Sequence, residues 1–329
     1  MELSKINIFY EEPNPDRWFP FDRFIRGLVR RIIRGKARPG GVKMVALELM
    51  RGFDKLGIAY RFNDFKYIKA NPKELACVIG KPQLIFEKKI PRNPILFGAG
   101  VYSHPIECPD LFEKYPNIQR FLVPGEWMRK MCEPYYGERV VAWPVGIDTE
   151  KWSPSMNHKT IDVIIYDKIR WEYSHYKKSL LTPIESILEK KGLSYRVIKY
   201  GNYKQDDFLK IIATSKSMIF LCEHETQGLA YQQVLACNVP IFAWDRGGYW
   251  EDPAYFPNKV KYEPVTSVPY WDERCGMKFI DINDFLSSVD TFFQKVNKNN
   301  FSPREYIMEN LTLEKCAEKY LEIIKSLPI

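Results

Sequence analysis

The sequence predicts an α/β protein of two doubly wound domains that face each other across a cleft. The chain has 329 residues, 45% of them hydrophobic, which is enough for two domains that each bury a core. Short β-rich runs alternate with helical patterns along the chain, as is typical of parallel sheets with crossover helices. A segment rich in proline and glycine, 144–159, breaks both patterns and is predicted to be the linker.

The first half of the chain supplies the strands of the first domain, which is predicted to cover residues 1–148. Short runs rich in β-branched and aromatic residues predict strands at 6–10, 58–62, 76–79, 84–86, 95–97, 121–123 and 140–143. Amphipathic patterns predict helices at 42–56 and 126–135. The order of strands and helices favours a parallel sheet.

The second half repeats this architecture in a domain predicted at 149–302. Its strands are expected at 162–166, 195–199, 218–221 and 240–243, and its helices at 178–191, 206–214 and 229–237. Residues 303–329 are predicted to be helical, with Pro303 opening one helix and Thr312 capping another. Ligands of such sheets bind at the carboxyl ends of the strands, so the chemistry is expected there.

Composition narrows the possible partners. Lys and Arg number 49 against 41 Asp and Glu, and the net charge of +8 suits an anionic partner. The seven cysteines and four histidines are scattered without metal-ligand spacing, which predicts reduced thiols and no metal site. Without a recognised reader motif, no nucleic-acid partner is expected. The first residues lack a signal-peptide pattern and no long apolar run occurs, which favours the cytoplasm.

One motif combines a carboxylate with a helix start. Glu225 follows the predicted strand 218–221, and the next helix begins at Gly228 and Leu229. The start of a helix presents unbonded backbone N–H groups and a positive dipole end, which together favour a diphosphate. Glu225 could accept hydrogen bonds from sugar hydroxyls, or it could act as a helix cap or a solvated charge.

The run Glu225-x-x-Gly228-Leu229, followed by Ala236-Cys237-Asn238-Val239-Pro240, resembles the donor-binding motif of retaining GT-B glycosyltransferases, and glycosyltransferase family four in particular. This resemblance implies two Rossmann-like domains and transfer of a sugar from a nucleotide-diphosphate sugar to a glycan, lipid-linked or other hydroxyl acceptor. It further implies retention of configuration, no metal and no cofactor. The closing helix of such proteins packs back toward the first domain.

The resemblance also assigns roles within the motif. Glu225 would contact the transferred sugar, and a second glutamate eight positions later would accept hydrogen bonds from the ribose. This chain has Gln233 there, which keeps one acceptor and adds two donors. Two alternatives therefore stay open: a GT-B protein that binds nucleotide sugars without turnover, and a sugar-nucleotide epimerase on the same architecture.

Two glycine pairs are further candidates for donor binding. Gly247 and Gly248 follow the strand after the motif and resemble the Gly-Gly turn of the family, where the backbone can approach a ligand closely. Gly40 and Gly41 precede the helix 42–56 and could offer backbone N–H groups to a phosphate or to the acceptor. For each pair the alternative is an ordinary turn.

Positive side chains and a histidine complete the predicted site. The resemblance implies cations after the first strand of the second domain that neutralise the leaving diphosphate. Arg170 and Lys177 are the preferred pair, and Lys168 or Lys178 could replace either. His104 follows a first-domain strand, where related enzymes carry a histidine that lines the sugar site, or it is an exposed loop residue.

Residues 17–38 form an insertion that departs from the family pattern. Their apolar residues fall on one helical face and their arginines largely on the opposite face, which predicts a basic amphipathic helix. Such a helix could lie on an anionic membrane surface, at its inner face, and this would suit a lipid-linked acceptor. Alternatively the apolar face joins the core and the arginines are solvated or bind an anionic acceptor.

Overall fold

The computed structural model describes residues 5–12, 22, 41–86, 90 and 92–328. Apart from Asp22, the predicted helix 17–38 lies outside these described residues, and so does Gly40. Contacts within the chain divide it into two compact units. Unit 1 comprises the described residues of Met1–Pro124, Arg129–Trp143 and Cys316–Ile329, and unit 2 comprises Gly125–Met128 and Pro144–Lys315.

Unit 1 is built on a parallel six-stranded sheet of order β2-β1-β3-β4-β5-β6. Its strands are β1 Ile6–Phe9, β2 Tyr60–Phe62, β3 Ala76–Val78, β4 Ile95–Phe97, β5 Ile118–Val123 and β6 Val140–Ala142. Its α-helices in the described ranges are α1 Gly41–Leu56, α2 Phe65–Ala70, α3 Gln83–Phe86, α4 Leu111–Lys114 and α5 Glu126–Tyr136, the first three residues of which group with unit 2. Continuous burial of β1, β3 and β4 matches a sheet covered on both faces.

Unit 2 is built on a parallel five-stranded sheet of order β11-β10-β9-β7-β8. Its strands are β7 Ile161–Asp167, β8 Tyr195–Lys199, β9 Ser215–Leu221, β10 Ile241–Trp244 and β11 Gly276–Phe279. Its helices are α6 Tyr173–Tyr176, a π-helical turn Lys177–Leu181, α7 Thr182–Lys190, α8 Gln205–Ala213, α9 Leu229–Ala236, α10 Ile282–Asn297, α11 Pro303–Asn310 and α12 Leu313–Lys325, which continues into unit 1. The predicted strands and helices of this half are confirmed, whereas β11 and α10 were not predicted.

Strand register aligns the loops of unit 2 at one edge of the sheet. Asp167 at the end of β7 pairs with Leu221 at the end of β9, which in turn pairs with Trp244 at the end of β10. The segments that follow these three residues therefore leave the sheet side by side. A core of aromatic and aliphatic side chains packs against the strands. In this core the ring of Phe242 stacks on the rings of Phe285 and Phe292, with centroid distances of 5.2 and 4.9 Å.

The structure corrects one predicted strand of the first domain. Residues 84–86 are predicted to form a strand, but they belong to α3. The prediction is wrong because a short apolar run has no periodicity that separates a strand from a helix.

The C-terminal residues are helical, as predicted. Thr312 caps α12, since its Oγ1 accepts a hydrogen bond from Lys315 N at 3.2 Å. After the segment Arg129–Trp143 of unit 1, the chain passes into unit 2 at Pro144. Helix α11 belongs to unit 2, where Arg304 donates to Ala236 O at 2.6 Å.

Several sequence expectations concern features of the described residues as a whole. All seven cysteines are buried and none forms a disulfide. No group of His, Cys, Asp or Glu side chains suited to hold a metal ion occurs within the described ranges. No helix among these residues has the length and apolar character needed to cross a membrane.

Candidate functional site

The candidate site lies where three loops leave the sheet of unit 2. Residues 168–171 follow β7, residues 222–228 follow β9, and residues 245–251 follow β10. The register of the strands brings these loops together at the carboxyl edge, where parallel sheets bind their ligands. Four of the predicted site residues, Glu225, Gly228, Gly247 and Gly248, lie on two of these loops, and Arg170 lies on the third.

A buried ion pair occupies the centre of this edge. Lys168 Nζ contacts Glu225 Oε1, and the two side chains are only 11% and 9% exposed. Burial lowers the pKa of Lys168, but the charge and hydrogen bond of Glu225, together with Cys222 and Tyr200, outweigh that effect. The pKa is therefore raised, and the ammonium stays charged. The ring of Tyr200 lies 4.4 Å from Lys168 Nζ and supports the cation from another side.

The backbone of Glu225 is held as firmly as its side chain. Its N–H donates to Thr266 O at 2.9 Å, and its carbonyl accepts the indole N–H of Trp127 at 2.8 Å. Within the described residues, no hydrogen bond reaches Glu225 Oε2. The carboxylate therefore has a fixed position and an acceptor oxygen that protein groups leave open.

Arg170 is fixed by the segment before Glu225. Its guanidinium donates to His224 O at 3.0 Å and lies 4.6 Å above the ring of Trp171. The carboxylate of Glu223, which is 1% exposed, accepts the backbone N–H groups of Arg170 and Trp171, each at 2.8 Å. Two positive side chains, Lys168 and Arg170, thus lie beside the loop that carries Glu225.

His224 is a buried neutral imidazole between these cations. Its Nε2 accepts the indole N–H of Trp250 at 3.1 Å, and since that group can only donate, the neutral ring carries its proton on Nδ1. Burial lowers the pKa of His224 to about 2, and the charges of Arg170, Lys168 and Arg246 act in the same direction. The histidine therefore contributes a polar, uncharged surface to a site rich in cations.

We expect His224 to make stability depend on pH. Above its unfolded pKa of about 6.5 the ring is neutral in both states, and the residue adds no pH dependence. Below that value the unfolded chain binds one proton more than the folded chain. The free energy of unfolding therefore falls by about 1.4 kcal/mol for each unit by which the pH decreases. Urea denaturation between about pH 7 and pH 5 measures this slope.

The control for this slope is a pair of substitutions. His224→Gln should reduce the pH dependence, because the titrating ring is removed from both states. His158→Gln is the matched substitution at a histidine whose ring is exposed to solvent, and its slope is compared with that of His224→Gln. Equal slopes for the parent and His224→Gln would contradict a neutral buried ring.

The helix start predicted at Gly228 is confirmed. Gly228 adopts a positive φ of 78° and precedes α9, whose first residue is Leu229. A Cβ at Gly228 would lie 2.0 Å from Cε1 of Tyr231, so no larger residue fits. Gln232 on α9 holds the loop that precedes the helix, because its Nε2 donates a hydrogen bond to Gln227 O at 2.6 Å.

Gln233, predicted to contact the ribose, lies on α9 and is 9% exposed. Within the described residues its side-chain amide makes no hydrogen bond, in contrast to the neighbouring Gln232. Gln233 therefore keeps a donor and an acceptor that the fold of unit 2 does not use. Its assignment to the ribose stays a prediction.

The loop after β10 carries the second glycine pair. Gly247 and Gly248 both have positive φ, 64° and 75°, and open space where a Cβ would stand. Arg246 before them donates to Tyr176 Oη at 2.8 Å and to Glu251 Oε2 at 2.6 Å. Arg246 is thus a third cation near His224, one that the sequence did not single out.

The remaining predicted residues lie elsewhere. Lys177 is exposed on the π-helical turn, and Lys168, named only as a replacement, is the lysine that contacts Glu225. His104 lies in unit 1 and is buried, so the alternative of an exposed loop residue is wrong; its Nδ1 accepts from Ile106 N at 3.1 Å and caps a short 3-10 helix. Burial lowers its pKa. Gly41 opens α1 in unit 1, with open space at its Cβ position.

A cavity in unit 2 contains none of the predicted site residues. It measures about 560 Å³ and lies near the amino ends of β9 and β10, among Lys159, Lys216, Cys237 and Phe301. The ends of the strands that carry Glu225 and Gly228 are the opposite ones. The candidate site is thus marked by the grouping of charged side chains at the carboxyl edge and not by this cavity.

Comparisons with known proteins identify the fold. A scan against protein-family models and a search of curated proteins found no match to this chain. The solved apo structure of the lipopolysaccharide outer core galactosyltransferase WaaB matches with a TM-score of 0.51 at 10% identity, over 98% of this chain and 100% of that chain. Sucrose-phosphate synthase from Thermosynechococcus elongatus matches with a TM-score of 0.50 at 13% identity, over 79% and 75%.

A third match is longer than this chain. A TarM mutant from S. aureus, solved with Fondaparinux, alpha-GlcNAc-glycerol and UDP, matches with a TM-score of 0.50 at 15% identity, over 86% of this chain and 59% of that chain. The chain thus spans less than two thirds of that relative. Its two units, each with a parallel sheet and crossover helices, agree with these structures in architecture. The chain has the GT-B fold of two Rossmann-like domains, as its motifs predicted.

Proposed function

We propose that the chain is a glycosyltransferase that moves a sugar from a nucleotide-diphosphate sugar to a hydroxyl acceptor. The observation that carries this proposal is the buried contact between Lys168 and Glu225 at the carboxyl edge of the unit 2 sheet, beside the helix start at Gly228. A cation and a carboxylate withdrawn from water at a ligand-binding edge are costly to stability, which is typical of a functional site.

The geometry supports a division of labour within the donor site. Lys168, Arg170 and the start of α9 supply positive charge for the leaving diphosphate, and such fixed charge stabilises the transition state as the bond to the sugar breaks. Glu225 has an open oxygen, Oε2, for a hydroxyl of the transferred sugar. Gly247 and Gly248 leave room for a ligand near the backbone.

Donor binding is expected to redistribute the contacts of Lys168. In the absence of donor, Glu225 is the carboxylate that contacts Lys168 within the described residues, and it balances the charge of the lysine. A diphosphate competes for the ammonium, and a sugar hydroxyl then donates to the carboxylate. The ion pair thus holds both side chains in place until the donor arrives.

Further details of the reaction belong to the same proposal. Retention of configuration, independence from metal, and a glycan or lipid-linked acceptor come from the resemblance of the donor motif. We propose that Gly40, Gly41 and His104 contribute from the first domain, that Lys177 adds charge near the donor, and that residues 17–38 bring the chain to the inner face of the membrane in the cytoplasm.

Gln233 favours a second candidate, a nucleotide-sugar-binding protein without turnover. The unused amide of Gln233 replaces the glutamate of the family motif. We expect Gln233→Glu to change donor affinity about threefold or more, because one neutral hydrogen bond to ribose becomes charge-assisted. Isothermal titration measures the affinity. Thermal unfolding is measured beside it, because a carboxylate at a position only 9% exposed is expected to lower the stability of the protein without donor. Unaltered affinity would contradict a contact with ribose.

The first experiment is a thermal-shift screen against UDP-, GDP-, ADP-, CMP- and dTDP-sugars. A ligand that binds the native state raises the melting temperature, so a shift with one nucleotide identifies the donor class. Consumption of that donor in the presence of acceptors then separates the candidates: a transferase consumes donor, whereas a pure binder does not. The absence of both binding and consumption with any donor would contradict the proposed function.

A further inference from the structure

Glu223 holds the loop that carries the two cations. Its Oε1 accepts the backbone N–H groups of both Arg170 and Trp171 at 2.8 Å. Two successive amides bonded to one buried carboxylate oxygen leave little freedom for the loop after β7. Lys168 is in the same loop, where its own N–H donates to Leu221 O at 2.8 Å and Ile169 N donates to Asp167 Oδ1 at 3.2 Å. Glu223 holds the following part of the loop, which presents Arg170.

The second oxygen of Glu223 serves Arg170 as well. Oε2 is buried, has no hydrogen bond among the described residues, and lies 3.9 Å from Arg170 Nε. The guanidinium itself is directed by His224 O and by the ring of Trp171. A buried carboxylate with an unfilled oxygen is unfavourable for folding alone, which indicates that the arrangement is kept for what it positions.

We infer that Glu223 is a positioning residue that sets residues 170 and 171 of the loop after β7, so that Arg170 meets the leaving diphosphate beside Lys168. This inference rests on the proposed function for the role of the cations, and on the contacts of Glu223 for the clamp. Glu223 itself is only 1% exposed, so its side chain is not open to a donor. It acts through the loop.

The first test of the clamp needs no donor. In Glu223→Ala the amides of Arg170 and Trp171 lose their acceptor, and their hydrogen exchange should become at least about tenfold faster. Glu223→Gln keeps an acceptor oxygen and should restore slow exchange. The matched control is Asp162→Ala, at the other end of β7, which removes a carboxylate that accepts Ser194 N at 2.9 Å and should leave residues 170 and 171 protected.

The second test asks whether the clamp serves the diphosphate. Inorganic pyrophosphate is the probe, because it carries the diphosphate without base or sugar, and calorimetry gives its affinity for the full chain. We expect Glu223→Ala to weaken pyrophosphate binding about tenfold, Glu223→Gln to retain most of it, and Asp162→Ala to leave it unchanged.

The outcomes separate this inference from the proposed function. Unchanged exchange at residues 170 and 171 in Glu223→Ala would overturn the inference whatever the donor. Faster exchange with unchanged pyrophosphate affinity, or an equal loss of affinity in Asp162→Ala, would also overturn it, since the role would then be structural only. If the parent protein binds neither pyrophosphate nor any nucleotide sugar, the proposed function fails, whereas faster exchange would still support the clamp.

Discussion

Lys168→Met is expected to lower the free energy of unfolding by about 3 kcal/mol, because it leaves the carboxylate of Glu225 buried without its cation. Methionine keeps most of the volume of the lysine stem, so the loss measures charge more than packing. Glu225→Gln should lower the free energy of unfolding by a similar amount, because it leaves the ammonium of Lys168 buried without its carboxylate. Urea denaturation of each variant gives these values.

The double variant separates the interaction between Lys168 and Glu225 from the cost of burying each charge alone. In Lys168→Met/Glu225→Gln no buried charge is left uncompensated, so most of the lost stability should return. The surface pair Lys191–Asp290, with side chains 29% and 67% exposed, is the matched control, and Lys191→Met should cost less than about 1 kcal/mol. Equal small losses for Lys168→Met and Lys191→Met would contradict strong coupling within the buried pair.

The same variants connect stability to function. If the pair serves the donor, the stable double variant should bind and consume donor at least about a hundredfold less well than the parent protein, since both the phosphate cation and the sugar acceptor are gone. Recovered folding with lost activity would show that a costly contact is retained for chemistry. Recovered activity would contradict the role proposed for Lys168 and Glu225.

The sequence predicted where the candidate site lies better than it predicted which cations contact Glu225. Glu225 and Gly228 were predictable because a buried strand, a carboxylate and a helix start follow one another within one short segment. Lys168 was not preferred over Lys177, since both are basic residues after β7. The choice between them depends on β9, which brings Glu225 beside the loop from a position 57 residues away along the chain. No local pattern contains that information.

The missed helix α10 shows a different limit. Its signals were present in the sequence: Asp281 caps the helix by accepting from Asn283 N and Asp284 N, and Phe285, Val289 and Phe292 recur on one buried face. By contrast, the preceding β11 is a four-residue edge strand that contains Gly276. Such a strand has too few residues to display alternation, and its pairing with β10 defines it.

Glu223 and Arg246 could not be assigned from sequence for a physical reason. A charged residue in a loop is usually solvated, so composition gives no reason to bury it. In the structure Glu223 is buried because it bonds to amides of a loop far away in sequence, and Arg246 is held by Tyr176 and Glu251. Their roles follow from tertiary partners alone.

Gly228→Ala is expected to be as damaging as the loss of Lys168. The new Cβ would lie 2.0 Å from Cε1 of Tyr231, and the backbone there has a φ of 78°, which an L-residue rarely adopts. Tyr231 cannot move aside easily, because its ring is fully buried and its hydroxyl bonds to both Tyr270 O and Tyr270 N at 3.2 and 3.0 Å. Strain and overpacking together should cost about 3 kcal/mol.

Gly192→Ala separates the two causes of that loss. Gly192 also has a positive φ, 66°, but nothing lies within 4 Å of its Cβ position. It should therefore show the backbone cost alone, about 1 kcal/mol, with unchanged donor binding. Gly228→Ala should in addition shift the start of α9 and weaken donor binding about a hundredfold, measured by calorimetry. Equal effects of the two substitutions on binding would contradict a diphosphate site at the start of α9, because only one of them displaces that helix.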